Sequence, residues 1–285
     1  MKNEDNPPVC LTIAGLDPSG GAGIIADIKT FSAFGCFAAA SIASITFQNT
    51  MGVFGAVHQT SDSIRKQVEP VLDDYHIAAV KTGMLPTREI VETVAAIISE
   101  RKLRNIVVDP VIRSTSGFDL IDDTALTAMI EKLFPLTDLI TPNISEAERI
   151  SGIKIRSSKD IHRAAAIMQS MGAKNVLIKG GHLREVKSEN GKVKNAERVA
   201  RDFLFVGDNL SVFEADFIDT TATHGTGCTL ASAITANLAL GKDLAEAVKI
   251  AKDFVTEAIR TAPNIGKGDS PINISYLAGV KILGD

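Results

Sequence analysis

The chain has no tryptophan and only two tyrosines, and aromatic residues make up just 5% of its 285 positions. Stacking platforms for nucleobases need such side chains, so their scarcity argues against a single-strand nucleic-acid binder. Positive charge is not in excess either: 30 Lys and Arg face 34 Asp and Glu, a net charge of −4. That removes the electrostatic reason to expect nucleic acid or an anionic membrane as a partner. No apolar run approaches the ~18 residues that suggest a transmembrane helix. Residues 1–8 form a polar tail without the basic and apolar regions of a secretory signal. Three cysteines, Cys10, Cys36 and Cys228, are too widely spaced for a disulfide framework or a zinc pattern. The expectation is a cytoplasmic protein with free thiols.

What is present is an ordinary globular composition, 45% hydrophobic and 22% charged, enough to fill a core. Short β-branched runs alternate with helical patterns. Strands are expected at Val9–Ala14, Ala40–Phe47, Ile77–Lys81, Asn105–Asp109, Leu136–Ile140 and Asn175–Lys179. Helical spacing links Ile24, Ile28 and Phe31, then Ile90, Val94 and Ile97, then Leu126, Met129 and Leu133. This alternation predicts an α/β fold, a mostly parallel sheet covered on both faces. Phe203–Val206 and Leu210–Phe213 read as a hairpin with a three-residue loop. Residues 184–201 are dense in mixed charge and read as a surface loop or hairpin tip. No linker or repeat divides the chain, so residues 1–285 read as a single domain.

Right-handed crossovers bring the strand C-termini to one edge, where open α/β sheets bind ligands. Six strands end there in small polar clusters: Gly15-Leu16-Asp17, Gln48-Asn49-Thr50, Lys81-Thr82-Gly83-Met84, Asp109-Pro110, Thr141-Pro142-Asn143 and Lys179-Gly180-Gly181-His182. One cluster would be an ordinary turn; six make a binding edge. A seventh segment, His224-Gly225-Thr226-Gly227-Cys228, precedes the apolar stripe Leu230, Ile234 and Leu238. Glycines at a helix start let a ligand approach free N–H groups and the positive end of the dipole, so an anion such as phosphate is the natural guest. Cys228 there is either a proton acceptor or a small buried hydrophobe, and locally the two stand level. His224 is either a phosphate contact or a packed turn residue.

Other nucleotide motifs fail. No Gly-x-x-x-x-Gly-Lys-Ser/Thr exists, so there is no P-loop. Gly21-Ala22-Gly23-Ile24-Ile25-Ala26 fits a dinucleotide fingerprint. However, the next strand ends in Gln48-Asn49-Thr50, without the acid that would hold a ribose, which argues against an NAD-dependent oxidoreductase. Asn143 and Glu146 fit a capping box or a water-rich magnesium shell, and the cap is the stronger local reading. Asp109 suits metal-bound water or a turn cap. Lys179 is placed to reach phosphates. Gln48 can pair with the edge of a heterocycle. Met84, judged locally, reads as core.

Taken in order, these segments resemble the hydroxymethylpyrimidine/phosphomethylpyrimidine kinases of the ribokinase-like superfamily, over roughly Val9 to Ile272. The resemblance implies a three-layer α/β/α sandwich, a homodimer, ATP with magnesium, and two successive phosphorylations of 4-amino-5-hydroxymethyl-2-methylpyrimidine. It implies that Gln48 hydrogen-bonds the pyrimidine and that Gly15, Asp27, Met84 and Val111 line its pocket. Gly225, Thr226, Gly227 and Cys228 would form the anion hole, with Cys228 as base. Asn143, Glu146 and Asp109 would serve the metal through water, and Lys179 the ATP phosphates. Several positions depart from the family pattern. Leu16 and Ile25 replace polar residues, and Phe47 replaces a small one, which is expected to narrow the pocket. Gly266-Lys267-Gly268-Asp269-Ser270-Pro271 stands where a histidine- and glycine-rich tail is usual, and the charged segment after His182 is long. Pyridoxal kinase is the nearest rival reading, disfavoured by Gln48 and Met84. A non-catalytic relative would be expected to lose residues that are all present here.

Overall fold

Strand β1 (Val9–Leu16) is apolar on both faces, and Cys10 through Ala14 are fully buried. A strand covered on both sides belongs in the middle of a parallel sheet. The computed structural model describes residues 6–114, 117–181 and 199–276, and places β1 there. The remaining strands are β2 (Phe37–Asn49), β3 (Gly52–His58), β4 (Ile77–Thr82), β5 (Ile106–Val108), β6 (Leu139–Ile140), β7 (Asn175–Gly181), β8 (Val199–Val206) and β9 (Asn209–Asp216). They form one sheet in the order β3-β2-β1-β4-β5-β6-β7-β8-β9. The six strands from β2 to β7 run parallel, and β3, β8 and β9 add antiparallel edges.

Helices cover both faces. On one side α1 (Gly23–Ala33), α7 (Thr226–Ala239) and α8 (Leu244–Arg260) pack over Val107, Leu139, Leu177 and Leu204. On the other lie α2 (Ser61–Asp74), α3 (Arg88–Glu100), α4 (Asp123–Ala128), α5 (Ile144–Ser151) and α6 (Ser158–Ser170). These bury Ile64, Val94, Leu126, Ala147 and Ile161 against Leu11, Ile13, Val80 and Ile178. The result is the expected three-layer α/β/α sandwich. Local signals set the helix ends. Thr87 caps α3 by accepting from Ile90 N, and Gly152 ends α5 at φ 74°.

The boundaries differ from expectation where local geometry intervenes. Leu136–Ile140 shortens to Leu139–Ile140, because Phe134–Leu136 forms a 3-10 turn around Pro135. The β8–β9 loop has two residues, not three, since Val206 pairs with Asn209 and Gly207 takes φ 55°. Strand β3 and helices α2, α6 and α8 had no counterpart in the sequence reading. In α2 only Ile64 and Val68 are buried, and Pro70 lies inside it, so its apolar stripe is thin. Of the charged 184–201 segment, residues 184–198 lie outside the described residues, as do His182 and residues 1–5 of the tail; 199–201 open β8. Among the described residues no helix is long and apolar enough to cross a membrane.

Candidate active site

The parallel strands deliver their C-terminal ends to one cavity of about 450 Å³. Gly15, Gln48, Met84, Asp109, Val111, Asn143, Glu146, Lys179 and Gly225 to Cys228 all line it. One site residue expected from the resemblance does not. Asp27 is fully buried beneath the cavity floor, where its carboxylate accepts from Thr12 Oγ1 (2.6 Å), Ser232 Oγ (2.6 Å) and Lys81 Nζ (2.9 and 3.0 Å). It serves the cavity through Lys81, which does line it. Burial opposes the Lys81 charge, but Asp27 holds its pKa above the usual lysine value. In the sequence Lys81 stands at a strand end with no role of its own. A lysine inside an otherwise apolar run was the available signal.

The helix start has the geometry of an anion site. Gly225 caps α7 at φ 85°, a backbone region that favours glycine, and a Cβ there would run into the carbonyl oxygen of Gly21. Gly227 and Cys228 follow as second and third residues of the helix, where amides have no intrahelical acceptor. A Cβ on Gly227 would lie 3.2 Å from Lys179 Nζ and 3.7 Å from Asp109 Oδ2, so its absence keeps the space between cation, carboxylate and helix start open.

Lys179 Nζ donates to Asp109 Oδ1 at 2.8 Å, and Thr141 Oγ1 donates to the same oxygen at 3.2 Å. Burial disfavours the Lys179 charge, yet Asp109 and then Glu146 keep its pKa above the ordinary value. Glu146 is buried. Its Oε2 accepts from Asn143 N (2.8 Å) while Asn143 Oδ1 accepts from Glu146 N (2.9 Å), a complete capping box. Its Oε1 accepts from Ile112 N at 3.2 Å. That bond anchors the backbone just past Val111, whose φ of 41° is strained for a β-branched residue. Burial raises the Glu146 pKa, against the pull of Lys179.

Cys228 is partly exposed to the cavity, whereas Cys10 and Cys36 are buried elsewhere in the core. Burial pushes the Cys228 thiol up to about 11, with Lys81 acting in the opposite direction. A helix start ordinarily lowers a thiol's pKa, but here burial outweighs that effect, and the resting group keeps its proton at neutral pH.

His224 turns away from the anion site. Its Nε2 lies 2.7 Å from Asp17 Oδ2, so it is a packed turn residue. Asp17 also accepts from Ser19 N and Ala22 N, which pins the glycine-rich turn against the start of α7. Phe47 does not narrow the pocket. It is half exposed on the opposite face of β2, against Gly55, while its neighbours Thr46 and Gln48 line the cavity. The atypical tail ties the β2–β3 turn to this region. Lys267 N and Gly268 N donate to Thr50 Oγ1, Asp269 N donates to Thr50 O, and His224 N donates to Ser270 O. At the far end, Lys252 Nζ donates to Asp202 Oδ2 (2.6 Å) beside the apolar side chains of Val255 and Ile259.

A helix start with open amides and a buried lysine–carboxylate pair beside it, at the edge of a mostly parallel sheet, suit an enzyme that handles phosphate groups, and the family matched below makes it an ATP-dependent kinase. Comparison with known proteins narrows the class. The family profile described as phosphomethylpyrimidine kinase matches residues 17–273, and the chain belongs to that family. It is 43% identical over 264 residues to the hydroxymethylpyrimidine/phosphomethylpyrimidine kinase of Haemophilus influenzae, covering 92% of this chain and 95% of that protein. The crystal structure of phosphomethylpyrimidine kinase from Clostridium difficile superposes with a TM-score of 0.74 at 42% identity, covering 88% of this chain and 99% of that one. An ADP complex of Bacillus subtilis pyridoxal kinase superposes with a TM-score of 0.83 at 36% identity, covering 96% and 99%.

Proposed function

We propose that this kinase phosphorylates 4-amino-5-hydroxymethyl-2-methylpyrimidine and then its monophosphate, as a step of thiamine biosynthesis. The observation that carries the reading is the placement of Gln48 and the α7 start on one cavity, with Lys179 and Asp109 beyond. A heterocycle held by the Gln48 amide, between Gly15, Met84 and Val111, presents its hydroxymethyl group to the helix start. The γ-phosphoryl group of ATP sits at the amides of Gly227 and Cys228, where fixed donors meet its developing charge. Lys179 neutralises the phosphates. The substrate oxygen forms a bond to phosphorus as the bond to the ADP oxygen breaks. Cys228 takes the hydroxyl proton in its thiolate form, a minority at neutral pH, which Lys81 favours electrostatically. In the second round a phosphate oxygen of the monophosphate attacks instead.

Magnesium fits this site in a water-rich form. Both Glu146 oxygens accept backbone amides, and among the described residues no three acidic, histidine or cysteine side chains converge. An all-protein cage is therefore a poor fit, whereas magnesium usually keeps several waters. Asp109, with Glu146 and Asn143 behind it, would hold those waters, and the ion would supply charge neutralisation on the phosphates.

A homodimer is part of the reading. Phe47, Met51, Phe54 and Val57 are 51 to 68% exposed along the β2–β3 hairpin, an apolar edge that a second copy would cover. Light scattering at the dimer mass, lost in Phe54→Glu, tests it.

The structural likeness to pyridoxal kinase supports pyridoxal as a second candidate substrate. Measuring ATP consumption with the pyrimidine alcohol, its monophosphate and pyridoxal side by side decides between them. Strong turnover of both pyrimidines is expected. Turnover of pyridoxal alone would replace the proposal.

A further inference from the structure

Proton counting around Gln48 leads beyond the assignment of that residue as a ligand contact. Its Nε2 lies 3.4 Å from His224 Nε2, and His224 Nε2 lies 2.7 Å from Asp17 Oδ2. Burial pushes the Asp17 pKa up, but hydrogen bonds from His224 and Ser19 hold it below the usual value, so the group is a carboxylate and only accepts. The proton of the short bond therefore sits on His224 Nε2, whether the ring is neutral or charged. Two N–H groups then face each other at Gln48. On its other side, Thr46 Oγ1 is 3.1 Å from Gln48 Oε1 and 3.0 Å from the Leu16 carbonyl. A hydroxyl has one proton, and the Leu16 carbonyl can only accept it. Half a turn of the Gln48 amide relieves both contacts: its oxygen rather than an N–H then faces the electropositive Nε2–H edge of His224, whose one proton stays in the shorter bond to Asp17, and its NH₂ donates to Thr46 Oγ1 while that hydroxyl donates to the Leu16 carbonyl.

We infer that Asp17, acting through His224, fixes the Gln48 amide with its oxygen on the side of the α7 start and its NH₂ on the side of Thr46, and that this order sets which way round a heterocycle binds. A matching ligand edge carries a hydrogen-bond donor on the side nearer Gly225 and a ring acceptor beyond it. This rests on the pyrimidine reading above and deepens it. In 4-amino-5-hydroxymethyl-2-methylpyrimidine the amino group is the donor, N3 is the acceptor, and the hydroxymethyl-bearing carbon adjoins the amino-bearing one. An amino group against the Gln48 oxygen aims the hydroxymethyl group towards the anion site. The reverse order aims it away. Asp17 and His224 are thus positioning residues that act on specificity through Gln48.

The test uses the 4-oxo analogue, in which a carbonyl acceptor and a ring N–H donor exchange the order. Wild type is expected to prefer the amino alcohol in kcat/KM by about 100-fold or more, as sites built around buried polar partners do. In Asp17→Asn the new amide can donate to His224 Nε2 and move its proton to Nδ1, which frees the Gln48 amide to turn. The amino-to-oxo ratio should then fall at least ~10-fold, a difference of ~1.4 kcal/mol. A ratio within about threefold of wild type in a folded Asp17→Asn protein overturns the inference. A merely structural loss would lower both substrates together and leave the ratio in place. Should that variant not fold, ¹⁵N NMR of histidine-labelled wild type, with His224 assigned by His224→Gln, reads the proton directly. A proton on Nε2 is expected, and an unprotonated Nε2 sinks the relay. If wild type turns over neither alcohol, the substrate reading fails, while the NMR arm still judges the relay.

Discussion

Lys179 Nζ and Asp109 Oδ1 lie 2.8 Å apart, directly across from Gly227 at the start of α7. One cation thus serves two tasks: it satisfies a buried carboxylate and faces the space where phosphate would sit. Lys179→Met should lower kcat by about 10²–10³, the usual cost of one donor to a developing oxyanion. Steady-state kinetics with saturating ATP checks this. A loss below threefold would remove Lys179 from the phosphate site.

Cys228 carries its proton at rest, with a pKa pushed up to about 11 by burial. If its thiolate is the base, kcat at saturating substrates should rise about tenfold per pH unit between pH 6 and 9, since thiolate is the minor form there. Alkylation of Cys228 should follow the same pH dependence, because Cys10 and Cys36 are buried. Cys228→Ala should cut turnover by orders of magnitude while the pyrimidine still binds. A flat pH profile or near-normal turnover would leave the thiol as a hydrogen-bond donor only.

Lys81 and Asp27 are both fully buried and bonded to each other. Lys81→Met leaves the Asp27 carboxylate without its cation in the core. Breaking one side of such a pair costs about 3–5 kcal/mol. Chemical denaturation should show that loss, and the surviving folded enzyme should show a Cys228 pKa higher than wild type, since Lys81 favours the thiolate.

Glu146 joins two backbone segments, one at the start of α5 and one beside the strained Val111. Removing it in Glu146→Ala leaves the Asn143 and Ile112 amides without acceptors. At about 1–3 kcal/mol for each buried unsatisfied group, the total loss for the two amides should be about 2–6 kcal/mol. Glu146→Gln retains one acceptor and should lose less. Equal stability of Glu146→Ala and wild type would contradict the anchoring role.

Asp17 should contribute to acid sensitivity. Its folded pKa lies below the ordinary value of 3.8, because hydrogen bonds from His224 and Ser19 outweigh burial. A depressed carboxylate contributes stability that is present above the unfolded pKa and is lost as pH falls through the folded value. Stability should therefore drop as pH falls below about 4, and Asp17→Asn should flatten that part of the curve. Denaturation midpoints measured between pH 2 and 6 decide the point.

Much of the layering was legible because its signal is local. β1 and β4 are short apolar runs, and Ile90, Val94 and Ile97 fall on one face of α3 by spacing alone. β3 was not legible, because Gly52 and Gly55 interrupt its alternation and it gains its identity only from pairing with β2. The capping box of Asn143 and Glu146 was readable three residues apart. The second bond of Glu146, to Ile112, spans 34 positions and leaves no sequence trace. Asp27 was misplaced for the same reason: its partners Thr12, Lys81 and Ser232 lie 15, 54 and 205 positions away.

The glycine-flanked helix start at Gly225 to Cys228, the polar strand ends and their order along the chain were determined by the sequence itself, because turn chemistry and hydrophobic period act over a few residues. The tertiary structure alone decided what those groups do to one another. It turned His224 towards Asp17, sank Asp27 beneath the floor, faced Phe47 outwards and raised the Cys228 thiol. Each of these depends on which distant side chains exclude water from a group or supply its hydrogen-bond partner, and that is settled only when the sheet brings the strand ends together.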